Sequence, residues 1–177
     1  MSTETWLDLA LIAVLLLACA FDLGQRRIPN RLLAAGLLFA LALHLFSGNV
    51  ASVLSSGLAG FAVGMLMFLP LYLLRAMAAG DVKLMATVGA FLGPSLAFES
   101  SLATYCAGGI LALGIVLARR RGRTAMINVG MLLQPVLMRL NGVRPPSADT
   151  PLPSVGGMPY ALAITAGTLY VMWLHHT

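Results

Sequence analysis

Apolar residues in this chain gather in long runs separated by short polar or basic clusters. Six runs emerge when each must be long enough for a bilayer, which takes roughly 17 to 25 residues of helix. They fall near Trp6–Phe21, Leu32–Phe46, Val50–Leu74, Val82–Phe98, Leu102–Ala118 and Pro159–Leu174. The second reaches only about 22 Å at 1.5 Å per residue, so it must borrow flanking residues or sit where the bilayer thins. A further apolar stretch, Thr124–Leu140, has basic residues at both ends and Gln134-Pro135 inside it. It reads as an interfacial or re-entrant helix on the cytoplasmic side rather than a seventh span. The prolines of Pro145–Pro153 then call for an extended loop. The expected fold is all-α: one polytopic membrane domain over residues 1–177, with about six transmembrane helices and one interfacial helix.

Composition sharpens this picture. With 59% apolar and 10% charged residues and a mean hydropathy of +0.91, the chain has too little polar surface to cover a soluble globule. Met1–Thr5 lacks the basic segment of a cleavable signal, so the first run is expected to stay as a span. Cys19 and Cys106 both lie in apolar runs, which leaves no disulfide framework and no paired-cysteine metal site; they read as small buried hydrophobes.

Charge fixes an expected orientation. The eleven Lys and Arg residues lie at 26, 27, 31, 75, 83, 119, 120, 121, 123, 139 and 144. If the N-terminus is periplasmic, all of them fall in or beside cytoplasmic segments 22–31, 75–81 and 119–158, and none falls outside. The sequence therefore predicts an inner-membrane protein with both termini periplasmic. Because these cations flank apolar spans instead of covering a soluble face, nucleic acid is not an expected partner; membrane lipid is. Gly60 and Gly64 form a G-x-x-x-G pair, a weak pointer to close helix packing or to a homo-oligomer.

Of six acidic residues, Glu4, Asp8 and Glu99 sit at external ends and Asp149 in the proline-rich loop. Asp22 and Asp81 remain. Each stands at the cytoplasmic end of a run, so the topology brings them to one membrane depth, where an ionisable side chain is costly and points to function. Asp81 also has a plain reading as the N-cap of its helix. Asp22, in the last turn of its own helix, lies where the macrodipole disfavours a carboxylate, which makes a structural role harder to write. Nearby, Ile28-Pro29-Asn30 stops the turn, with Asn30 placed to cap the second helix. Gly80 leaves room for another backbone to approach Asp81. Lys83 either snorkels to the interface or orients Asp81 or a substrate.

At these residues the chain resembles the type IV prepilin peptidases, in the compact form associated with tight-adherence (Flp-type) pili. Asp22-Leu-Gly-Gln-Arg-Arg-Ile-Pro-Asn30 is similar to that family's aspartate followed at fixed distance by Ile-Pro-Asn. Gly80-Asp81-Val82-Lys83-Leu84 is similar to its G-x-G-D-x-K-L element, with Ala78 in place of the first glycine. A looser likeness lies in Met158-Pro159-Tyr160-Ala161 and the helix that follows. The resemblance implies a membrane aspartic endopeptidase that cuts the leader from a prepilin or pseudopilin at the cytoplasmic face. Asp22 and Asp81 would be catalytic, with Gly80, Lys83, Ile28, Pro29 and Asn30 supporting them or the substrate, and no metal or other cofactor. The cysteine-rich domain of the long forms is absent, so amino-methylation of the product is not implied. The rival readings are an ion relay or small transporter using the two aspartates, and a non-catalytic component of pilus or secretion assembly.

Overall fold

A computed structural model describes residues 3–46, 51, 53–74, 76–118, 130 and 159–176. Within them lie six α-helices and no strand: α1 (Thr3–Gln25), α2 (Asn30–Phe46), α3 (Ala59–Leu73, entered through a π-helical turn over Val53–Leu58), α4 (Ala79–Leu92), α5 (Pro94–Ala118) and α6 (Tyr160–His176). The all-α expectation holds. Glu4–Gln25, Ser55–Leu73 and Pro94–Ala118 are long and apolar enough to cross a membrane, and Asn30–Phe46 is an apolar but shorter helix. The expected interfacial helix over Thr124–Leu140 and the loop over Pro145–Pro153 lie outside the described residues.

The helices run alternately from one end of the bundle to the other, and α4 stands at its centre. It touches every other helix, and ten of its fourteen residues are buried. A helix so enclosed needs neither the length nor the lipid-facing surface of a free span. Its apolar positions Leu84, Met85, Val88 and Ala90 are wholly excluded from the surface and form the core with Leu11, Leu15, Phe68 and Ile164. Outward-facing Leu16, Ile110, Leu113 and Leu117 are more than half exposed, the inverse of a soluble surface and suited to lipid.

One expectation changes. The break after α4 comes at Gly93-Pro94, not in the polar stretch after Phe98. Gly93 adopts φ 81° and donates its N–H to the Gly89 carbonyl, a left-handed helix stop that glycine takes without strain. Pro94 then opens α5 at a first-turn position where its missing N–H costs nothing. Ser100 and Ser101 consequently lie buried inside α5. The close helix packing expected at Gly60 and Gly64 is met, both being buried against α4. A Cβ on Gly60 would collide with the Gly89 carbonyl, and one on Gly64 with the Met85 carbonyl. The G-x-x-x-G pair thus packs α3 against α4 within one chain.

The bundle's two ends differ in chemistry. At one, His175 pairs with Glu99 at 3.0 Å and His176 with Asp8 at 3.1 Å, tying the end of α6 to the starts of α5 and α1. The other end gathers Asp22, Arg26, Arg27, Asp81 and Lys83 around one cavity.

Candidate functional site

Asp22 reaches this second end because α1 continues past the apolar run, to Gln25. There Arg26 takes a left-handed conformation, φ 52°, and its N–H closes onto the Asp22 carbonyl at 3.0 Å. A non-glycine residue held in that region is strained by roughly 1 kcal/mol or more, and the sharp reversal it makes throws Ile28-Pro29 back over the bundle. The Pro29 carbonyl accepts the N–H groups of Leu32 and Leu33 and so starts α2. Asn30 is therefore the first residue of α2, not its side-chain cap. Its Oδ1 is used elsewhere, accepting a hydrogen bond from Lys83 Nζ at 3.0 Å. That bond joins the Ile-Pro-Asn turn to α4, and it gives Lys83 a partner other than Asp81.

Asp81 sits one turn into α4, so it is not the N-cap either. Ala78 holds that position, extended at φ −81° and ψ 152°. The Asp81 side chain reaches back instead, Oδ2 accepting the Ala78 N–H at 3.3 Å. This is the returning half of a capping box, with the carboxylate at the positive end of its helix. Gly80 faces the side chain of Ile28, 3.6 Å from where a Cβ would lie. The approach expected there is real, but it is by a side chain at ordinary contact distance rather than by backbone.

The chief surprise is the partner of Asp22. Its Oδ2 accepts the N–H of Ala161, in the first turn of α6, at 3.1 Å. The carboxylate that lies at the wrong end of its own helix thus lies at the favourable end of another. Nothing local to Asp22 announces this, since the donor is 139 residues away. The only sequence signal was the weak likeness around Met158-Pro159-Tyr160.

Asp22 and Asp81 are 9% and 7% exposed. Both line a cavity of about 430 Å³ together with Arg26, Arg27, Ile28, Asn30, Gly80, Lys83 and Tyr160. All the residues singled out from sequence come to this cavity except Pro29, which shapes its wall through the turn. Sequence reasoning missed Tyr160, the Ala161 N–H, and the arginines as lining groups. Two carboxylates lining one cavity form the minimal constellation for acid–base hydrolysis of a peptide bond. A larger cavity, about 500 Å³, lies at the opposite end near the His–carboxylate pairs and contains neither Asp22 nor Asp81.

The sequence model of the type IV leader peptidase family matches residues 9–113. That span is more than half of the chain and carries both aspartates. No curated protein and no solved structure matches the chain.

Proposed function

The chain belongs to the type IV leader peptidase family, and from that premise we propose that it is a membrane-embedded aspartic endopeptidase cutting the leader from a Flp-like prepilin, with Asp22 and Asp81 as its catalytic pair. That it is a peptidase and a membrane protein follows from the family and from the apolar helices. The observation that supports the finer reading is the meeting of the two buried carboxylates on one cavity, each held by a backbone N–H of a helix N-terminus.

In this reading a water between the carboxylates loses a proton to one of them as it attacks the scissile carbonyl. The other, protonated, gives its proton to the carbonyl oxygen. As the tetrahedral intermediate collapses and the C–N bond breaks, the first passes the water's proton to the leaving amine and the second takes a proton back from a hydroxyl of the intermediate, which restores the pair. Helix N-termini behind both groups supply fixed dipoles that need no reorganisation during the reaction. The cavity lies at the bundle end where Arg26, Arg27 and Lys83 gather. By the positive-inside rule that end is cytoplasmic and both termini are periplasmic. A single-span precursor would then enter alongside the bundle, its polar leader in the cytoplasm and its scissile bond at the membrane boundary.

The test is cleavage of a Flp-type prepilin by the purified protein in lipid nanodiscs. The expected product is mature pilin cut once, at the junction of leader and apolar helix. Folded protein that leaves every prepilin intact, or cuts only on the far side of the apolar helix, would refute the assignment.

A further inference from the structure

We propose that the first turn of α6 is part of the proteolytic machinery: the Ala161 N–H fixes the Asp22 carboxylate, and Tyr160 is the positioning residue that fixes where this donor stands. The inference rests on the reading of Asp22 as half of the catalytic pair.

Asp22 needs such a donor. At the end of α1 it faces the carbonyl-rich pole of its own helix, and it is buried, where a carboxylate without a hydrogen-bond partner is costly. The first turn of any helix carries N–H groups with no partner inside the helix. Ala161 offers one of them, and the bond to Asp22 Oδ2 is itself buried. Pro159, just before α6, has no N–H to compete, and its carbonyl takes the Leu162 N–H at 3.3 Å, which leaves the Ala161 donor pointing at Asp22.

The position of that donor is set by the adjoining ring. Tyr160 meets Phe68 of α3 edge to face, centroids 6.2 Å apart, and Phe68 in turn stacks on Tyr105 of α5 at 5.1 Å. The Tyr105 hydroxyl donates to the Met67 carbonyl, locking α5 to α3. On the other side Tyr160 lies on Gly108, where a Cβ would stand 2.9 Å from the phenol oxygen and 3.1 Å from two ring carbons. The ring is wedged between α3 and α5, and the peptide that joins Tyr160 to Ala161 carries the N–H in question. Any shift of the ring moves the donor. The competence of the enzyme therefore depends on a helix lying outside residues 9–113, the span the family model covers.

The direct test replaces Ala161 by lactic acid through nonsense suppression in the full-length protein, so that a backbone ester deletes the N–H while every side chain is kept; the weaker Tyr160 carbonyl it also leaves is common to both arms of the stability cycle below. With Flp-type prepilin as substrate, kcat should fall about ten- to a hundred-fold, the scale of one hydrogen bond to a charged group, with KM within about twofold. Tyr160→Ala should likewise lower kcat more than it raises KM, and Tyr160→Phe, which restores the ring, should recover most of the loss. A stability cycle tests the same bond without any substrate. The ester should lower the thermal midpoint in the wild-type chain and much less in Asp22→Ala. An ester variant with wild-type kcat, or one equally destabilised with and without the Asp22 carboxylate, would overturn the proposal. Wild-type protein inactive on every prepilin would overturn the peptidase reading instead, leaving the cycle to decide on the bond.

Discussion

Replacing either aspartate by asparagine separates chemistry from architecture, because the structure allows both costs to be weighed. Asn is nearly isosteric, and its amide oxygen can still accept the N–H of Ala161 at position 22 or of Ala78 at position 81. Each change therefore weakens a charge-assisted hydrogen bond to a neutral one, a loss of about 1 kcal/mol. It also removes a charge from a helix N-terminus, worth about 0.3 to 1 kcal/mol. Against this, two carboxylates on one cavity repel, and removing one relieves that repulsion. The net expectation is a destabilisation of no more than about 2 kcal/mol, a few degrees in thermal midpoint for a chain of this size. Viewed from α1 alone, Asp22→Asn would even stabilise; the bond to α6 reverses that sign. Catalysis should respond far more strongly. An amide can neither take a proton from water nor return one, so each variant should lose at least about 10²- to 10⁴-fold in rate. Since neither half acts without the other, the double variant should be no slower than the slower single one. The assay is a time course of prepilin cleavage in nanodiscs, run beside thermal melts of the same preparations. A well-folded Asp22→Asn or Asp81→Asn protein that cleaves at the wild-type rate would refute the reasoning, as would losses that multiply in the double variant.

Other expectations follow from the packing. Gly60→Ala should destabilise by about 1 to 3 kcal/mol through overpacking against the Gly89 carbonyl, whereas Gly114→Ala, with nothing within 4 Å of the new methyl, should be neutral or stabilising by up to about 1 kcal/mol; thermal melts of the two decide. Lys83→Met and Asn30→Ala should be coupled by about 0.5 to 1 kcal/mol in a double-mutant cycle, because each removes the same exposed hydrogen bond, and strict additivity would show that the bond is not formed. In a chain whose Cys19 and Cys106 are replaced by Ala, a cysteine at Glu99 should label from the periplasmic side and one at Arg121 from the cytoplasmic side; labelling in the reverse sense would invert the orientation.

How far the sequence could be read depended on the range of each interaction. Long apolar runs and the cations between them are properties of neighbouring residues, so the helices and the gathering of Asp22 and Asp81 at one end were legible. Helix ends were less so: polar Glu99-Ser100-Ser101 looked like a break, but Gly93-Pro94 provides the stop and the serines are buried in α5. Roles that depend on a distant partner were hidden. Asn30 looked like a cap because its spacing fits one, yet its side chain serves Lys83. The G-x-x-x-G pair signals a close helix approach without saying whether the second helix belongs to the same chain, and here it does. The hardest case was Ala161, whose contribution is a backbone N–H that any residue but proline would supply, so its side chain carries no trace of the role.

The enclosure of α4 bears on how such a protein tolerates change over evolutionary time. Of its fourteen positions only Ala79 and Lys83 are exposed; the others each meet a neighbour, and at Gly89 not even a methyl group fits. The outer shell, with Leu16, Ile110 and Leu113 facing outward, asks only for apolar character, and there one aliphatic residue serves as well as another. Substitutions will therefore accumulate on the outside while the central helix stays fixed. Two descendants of a common ancestor can drift far apart in average identity and still share the same inner column, so kinship in such bundles is better judged along α4 than along the whole chain.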